Sequence, residues 1–205
     1  MKFLFSSMFF ISSLALIGCG GGTSETVDLE NRTATWSLKA KESFIHYTTV
    51  KQGDIAEPNL FSIFTGDVSP SGEAVISIAL NSVQTNVDTR DERMKKLVFK
   101  TADYPLATIS TSLPMATLEV MEEGDRVSIE QGLNVSMAGV RADFDVNFKV
   151  TRLGANSVLV ESEQPIYVQA EDFGFEAGVA ELQKLANLDS ITPVVPVSFS
   201  LLFER

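Results

Sequence analysis

The sequence predicts an all-β protein, an antiparallel sandwich or closed barrel carrying two short helices. Three observations predict it. Segments after residue 34 repeatedly alternate apolar and polar residues with period two, the mark of half-buried strands. Short stretches rich in Gly, Pro, Asn, Asp and Ser separate them, too short for the crossovers that parallel pairs require. The composition, 44% hydrophobic and 21% charged over 205 residues, is an ordinary globular balance sufficient for one domain or at most two small ones. No internal repeat and no shift of composition marks a second domain after residue 34.

Along the chain, residues 34–50 and 60–69 form the first extended stretches. Ser69-Pro70-Ser71-Gly72-Glu73 is a turn, and residues 75–81 then place Ile76, Ile78 and Leu80 on one face. Residues 89–99 read as a short helix: Thr89 and Glu92 fit a capping box, and Met94, Leu97 and Val98 follow at helical spacing. Residues 106–113, 117–122, 126–130 and 133–137 read as further strands, with a Glu122–Asp125 turn between two of them. Residues 144–150 alternate most clearly, with Phe144, Val146, Phe148 and Val150 on one side. Gly154-Ala155-Asn156 turns the chain into residues 157–164. Val179, Leu182, Leu185 and Ala186 form one stripe, so 178–188 is the second helix. Residues 197–203 close the chain as a strand.

Charge and residue counts narrow the function. Asp plus Glu number 27 against 16 Lys plus Arg, a net charge of -11. Such a chain does not bind nucleic acid through bulk phosphate electrostatics, which needs positive charge. One Cys and one His rule out an intrachain disulfide framework and a Cys/His zinc cage. Fourteen Phe stand against one Trp and three Tyr, so the rings are mostly without polar handles.

The N-terminus reads as an address rather than as part of the fold. Lys2 is followed by an apolar stretch to Ile17, then by Leu16-Ile17-Gly18-Cys19, which resembles the lipobox of bacterial lipoproteins. The resemblance implies a signal peptide over residues 1–18, acylation of Cys19, and a flexible tether over 19–33 led by Gly20-Gly21-Gly22. Two or more acyl chains make such anchoring stable. Gly20 lacks an Asp-type retention signal, so the expected location is the outer membrane, facing the periplasm.

The remaining motifs resemble the YceI-like family, polyisoprenoid-binding periplasmic proteins of bacteria. They are Trp36-Ser37-Leu38, Ser43-Phe44-Ile45, Phe61 to Gly66, Asn81-Ser82-Val83-Gln84-Thr85, Arg90-Asp91-Glu92-Arg93-Met94, Val98-Phe99 and Tyr104-Pro105. Gly132 to Gly139 and Asp172-Phe173-Gly174 fit more loosely. Asn59 or Leu60 stands where many members have Gly. The resemblance covers residues 35–205 and implies a lipocalin-like extended antiparallel barrel of about eight strands, wide enough for one small ligand. The barrel domain is then 34–205. An isoprenoid, quinone or similar amphiphile would lie in the lumen, for carriage or storage and without catalysis or a resident cofactor. The expected lining is Phe44, Phe61, Phe64, Ile78, Phe99, Tyr104, Phe144, Phe148 and Phe199, with Phe203 also contributing apolar surface. The expected partners are that lipid and the membrane reached through the anchor, with a homodimer admitted. The alternative is a non-enzymatic interaction module whose barrel is filled by its own side chains.

Each site residue also has a plainer reading. Any one Phe can be packed core rather than lining. His46 can orient a head group or sit satisfied on a strand. Arg90, Asp91 and Arg93 can hold a head group or serve capping and ion pairing, and the latter is favoured. Asp88, Asp91, Glu92 and Asp103 lack the spacing of a calcium loop and read as a solvated acidic face. No Gly-x-Ser-x-Gly elbow occurs, and a Ser triad would have to recruit His46.

Overall fold

The computed structural model describes residues 36–205. The signal over 1–18, Cys19 and the tether over 19–33 lie outside the described residues.

Twelve strands occur among the described residues. They are β1 (Trp36–Leu38), β2 (Phe44–Lys51), β3 (Ile55–Phe61), β4 (Phe64–Val68), β5 (Glu73–Ala79), β6 (Val83–Gln84), β7 (Leu106–Ser112), β8 (Arg126–Met137), β9 (Val140–Gly154), β10 (Ser157–Ser162), β11 (Ile166–Gln169) and β12 (Val194–Glu204). Eight of them close a ring in the order β1-β4-β5-β7-β8-β9-β10-β12, and β12 pairs back to β1. All pairings in it are antiparallel. Closure leaves the ring no unpaired edge. These pairings are all made within residues 36–204, so Thr33–Arg205 is a unit that satisfies its own backbone.

Alternation turns that ring into a barrel with an apolar inside. Even-numbered residues of β4, β5, β9 and β10 and odd-numbered residues of β7, β8 and β12 point inward. The hairpin between β8 and β9 fixes one register: Met137 pairs with Val140 across Ala138-Gly139, both at positive φ. A Cβ at Gly139 would meet the Tyr104 ring at 2.8 Å, so the turn also needs glycine for space.

β12 is the longest-shared strand. Its C-terminal half pairs β10 and β1, and its N-terminal half pairs β11 and β2. β2 continues the course of β1 after a 3-10 turn at Ala40–Glu42, and carries β3 and β6 outward. The expected single strand over 34–50 is therefore two strands broken by a turn. The expected 60–69 strand divides likewise between β3 and β4. Residues 126–130 and 133–137 are one continuous strand, β8.

Three α-helices occur among the described residues: α1 (Asp88–Arg93), α2 (Met115–Leu118) and α3 (Glu176–Leu185). A π-wound segment, Met94–Phe99, extends α1 until Lys100 ends it in a left-handed conformation. The Thr89 capping box does not form, because the helix starts one residue earlier with Val87 at its N-cap. Asp91 instead accepts from the backbone N–H and the hydroxyl of Thr85. A capping box does form at Gln169 and Asp172, over the 3-10 turn Ala170–Phe173. The expected strand over 117–122 is α2 and a loop. Pro114 sits at the helix N-cap, where a missing N–H costs nothing, and Val120 stands 76% exposed.

Candidate ligand-binding cavity

The inward residues do not fill the barrel. They surround a cavity of about 800 Å³, within the size range of small-molecule sites. Its wall takes Ile76 and Ile78 from β5, Ile109 from β7, Leu133 and Val135 from β8, and Phe144, Phe148 and Val150 from β9. Val158 and Val160 of β10 and Val195, Val197, Phe199, Leu201 and Phe203 of β12 complete the ring.

One end is shut by an aromatic stack. Trp36 is buried, with the guanidinium carbons of Arg152 and Arg205 at 5.0 and 4.6 Å from its ring centroid. Cations over an aromatic face are attracted by its quadrupole. Both guanidiniums donate to the Ala155 carbonyl, at 3.2 and 3.3 Å. At this end Trp36 pairs with Val68 of β4, and Glu204, beside Arg205, pairs with Ser157 of β10.

The other end is covered by the π-wound segment and α3. Met94, Val98 and Phe99 come to the wall from the first, and Val179 and Leu182 from the second. The two segments touch closely at Gly178, where a Cβ would lie 2.4 Å from the Leu97 carbonyl oxygen. Phe99, Phe175 and Phe173 form an aromatic run, with centroids 5.7 and 5.8 Å apart, that fastens this cover to Phe144 and Phe61.

Polar groups border the cavity on this side. Glu57 bridges two cations: Arg90 donates to one carboxylate oxygen at 2.6 Å and Lys51 to the other at 2.9 Å. Burial pushes the Glu57 carboxyl up, but the Lys51 hydrogen bond and the charges of Arg90 and Lys51 outweigh it and hold the group below its ordinary range. Arg90 also donates to the Thr85 carbonyl. Tyr47 is 7% exposed, and its hydroxyl has no hydrogen-bond partner among the described residues. Burial, then the Asp91 carboxylate, raise its pKa far above the ordinary phenol value, with Arg90 opposing. Tyr47 therefore stays a neutral O–H.

Six of the residues expected to line the lumen border the cavity: Phe61, Ile78, Phe99, Phe144, Phe148 and Phe199. Three do not. Phe64 is buried on the inward face of β4 and packs within the main core instead of on the wall. Phe44 is 43% exposed on the outer face of β2, stacked on His46 at 4.6 Å between centroids. Tyr104 lies outside β7 under the Gly139 turn. Ile45, Tyr47, Thr49 and Lys51 face inward in place of Phe44 and His46. Tyr47, Glu57, Trp36 and the two arginines of the stack were absent from the expected list. Of the pair Arg90 and Asp91, each is engaged in the structural bonds that the plainer reading favours, and Arg90 and Arg93 also reach the cavity wall. No cluster of metal-binding side chains occurs among the described residues.

A closed antiparallel barrel with one apolar internal cavity, sealed by a Trp–Arg stack and covered by helices, defines the class of lipocalin-like barrel proteins. Within that class the chain belongs to the YceI-like domain family, which matches residues 36–203. It is similar to a polyisoprenoid-binding domain from Saccharophagus degradans implicated in plant cell wall breakdown. The two are 32% identical, with a TM-score of 0.83 over 84% of this chain and 99% of that one. It also shares its fold with BcnA of Burkholderia cenocepacia, at 16% identity and a TM-score of 0.62 over 80% of this chain and 98% of that one. The comparison with curated proteins gives no match.

Proposed function

We propose that this chain is an envelope-anchored binding protein that holds the isoprenoid tail of an amphiphilic lipid inside the barrel, for carriage or storage and without catalysis. The observation that carries the reading is the cavity of about 800 Å³ with an aliphatic and aromatic wall. Each tail methylene moved from water to such a wall gains about 0.8 kcal/mol, so a long tail binds without polar contacts. The 32% identical relative, described as polyisoprenoid-binding, supports the same ligand class. The wall also argues against the alternative of a self-filled interaction barrel, because its side chains stop short of the axis. His46, the one His of the chain, lies on the outer face of β2 beside Phe44 and not toward the lumen. Anchoring through Cys19 at the outer membrane belongs to the proposal.

The test is to purify Thr33–Arg205, extract it with organic solvent and analyse the extract by mass spectrometry. A co-purified isoprenoid lipid is the expected result. No co-purified lipid together with no binding of added prenyl compounds would end the carrier reading. Sedimentation of the same sample, loaded and unloaded, reads whether copies pair. For the anchor, a full-length Cys19→Ala protein should leave the membrane fraction; tight retention would refute lipid attachment at Cys19.

A further inference from the structure

We propose that the bound lipid enters and leaves through the side of the barrel, by a slot between β7 and β8 that residues 113–121 cover as a hinged flap. The inference rests on the carrier reading above and adds the route to it.

β8 outruns its neighbour. β7 and β8 pair only from Thr108–Ser136 to Ser110–Asn134, whereas β8 pairs with β9 along its whole length, from Arg126 to Met137. Past Ser110 the two strands part. The Thr111 hydroxyl donates to the Gly132 carbonyl at 2.8 Å, a side-chain bond where the ladder would have placed a backbone one. The Leu113 N–H then turns away to the Gly72 carbonyl at 2.9 Å. Among the described residues no backbone hydrogen bond joins 113–121 to β8.

The wall is thin at this slot. Thr111 and Leu133 border the lumen on one side and, on the other, a groove of about 430 Å³ on the outer face of the sheet. Gly132 lies in that groove, on the outward parity of β8. Neither backbone nor crowding requires glycine there. Its φ is not left-handed, and a Cβ would meet only Asp145 Oδ1, at 3.8 Å. Glycine weakens a strand interior. What the missing side chain provides is an open groove.

The flap is the least fastened part of the envelope. Its backbone bonds close within itself: the Thr117 and Leu118 N–H groups donate to the Pro114 carbonyl, and that of Glu119 to Met115. Its ends are fixed, Leu113 at Gly72, and Gly124 and Asp125 at Arg152. Between them the apolar side chains of Met115, Leu118 and Met121 reach the cavity. Met is unbranched and repacks readily. Segments with few backbone bonds to their surroundings open at the lowest cost. The helical cover is held more firmly. Gly178 leaves no room against Leu97, Arg90 pairs with Glu57 at 2.6 Å, and Asp91 accepts twice from Thr85.

The test uses Thr33–Arg205, which holds no Cys because Cys19 is the one Cys of the chain. The probe is dansyl-labelled geranylgeraniol, followed by energy transfer from Trp36, the one Trp, which borders the cavity. Stopped flow reads its entry, and a chase with unlabelled geranylgeraniol reads its release. Gly132→Leu fills the groove without reaching the lumen. It should slow entry and release alike, each about tenfold, and leave Kd within about twofold. A change confined to release would mark an altered contact and overturn the route. Thr111→Cys with Leu133→Cys is the second variant. These positions stand next beyond Ser110 and Asn134, and facing residues of an antiparallel pair are close enough for a disulfide. Oxidised, it should exchange the probe about tenfold more slowly than the reduced form of the same protein. Asp91→Ala, which loosens the helical cover, should leave both rates within about twofold. Thermal melts confirm that each variant is folded. Rates unchanged in Gly132→Leu and in the oxidised pair overturn the route, and faster exchange in Asp91→Ala would then move it to the helical cover. The carrier reading stands in either case. If the probe does not bind, both fall.

Discussion

Gly178 gives a prediction whose sign separates two physical effects. It sits in the first half of α3, a helix interior where Gly is about 1 kcal/mol worse than Ala. Helix propensity alone therefore predicts that Gly178→Ala stabilises the protein. The structure predicts the reverse. A Cβ there would stand 2.4 Å from the Leu97 carbonyl oxygen, 3.0 Å from its carbon and 3.1 Å from the Val98 Cα. Ordinary contact begins at 3.4 Å, so α3 must retreat by roughly 1 Å from backbone that has no rotamer to yield. Overpacking of this kind costs about 1–3 kcal/mol, which cancels the propensity gain of about 1 kcal/mol and leaves a net loss of up to about 2 kcal/mol. For a domain of this size that lowers Tm by up to about 8 °C. Urea denaturation and calorimetry measure it. Ala180→Gly, at an exposed position of the same helix, is the control and should lose about 1 kcal/mol by propensity alone. A Gly178→Ala protein more stable than wild type would refute the close packing of α3 on the π-wound segment. The stake is functional, because Val179 and Leu182 of α3 and Val98 and Phe99 of the segment cover the cavity.

Glu57 makes stability depend on pH in a definite direction. Its folded pKa is lowered, so it favours the folded state above its unfolded value, roughly pH 4.3, and loses that contribution as pH falls through the folded value. The stability gap between wild type and Glu57→Gln in urea should therefore be widest above pH 5 and shrink below pH 4, and should also narrow in high salt. A gap constant across that range would remove the ion-pair assignment. Asp91→Ala strands the Thr85 N–H and hydroxyl, and should cost about 1–3 kcal/mol. Asp91→Asn keeps an acceptor oxygen and should cost less. Equal losses in the two variants would show that the bond to Thr85 is not what Asp91 supplies.

Much of the barrel was legible because period-two alternation survives wherever a strand stands between lumen and solvent. Residues 144–150 and 197–203 fall within β9 and β12 for that reason, and Phe144, Phe148 and Phe199 all reach the cavity. The family motifs then placed Phe61 and Phe99. What alternation cannot report is pairing at a distance. The Trp36 stack joins residues from β1, from β9 and from the end of β12, and only the closed ring brings them together. The Arg90–Glu57 pair likewise spans 33 positions. The 117–122 segment failed for a different reason: Leu118 and Val120 alternate with polar neighbours, and only the Pro114 start reveals a helix.

The placement of Phe44 shows how a single local feature decides a site. A strand running unbroken from residue 34 to 50 keeps one parity throughout. Trp36 faces the lumen, so in such a strand Phe44 and His46 would face it too. The 3-10 turn at Ala40–Glu42 interrupts the count. Beyond it the inward parity has switched from even to odd, and Ile45, Tyr47, Thr49 and Lys51 point inward. Ser43 locks the new register, since its hydroxyl donates to the Lys39 carbonyl at 2.8 Å and accepts from the Leu202 N–H at 2.9 Å. The switch exchanges a large apolar ring and an imidazole for a neutral phenol and an ammonium. The polar end of the cavity exists because of it: Tyr47 and Lys51 would otherwise lie outside, and Glu57, opposite Thr49 on β3, would have no cation from β2 to meet. The broken strand is thus what gives an apolar barrel its polar end.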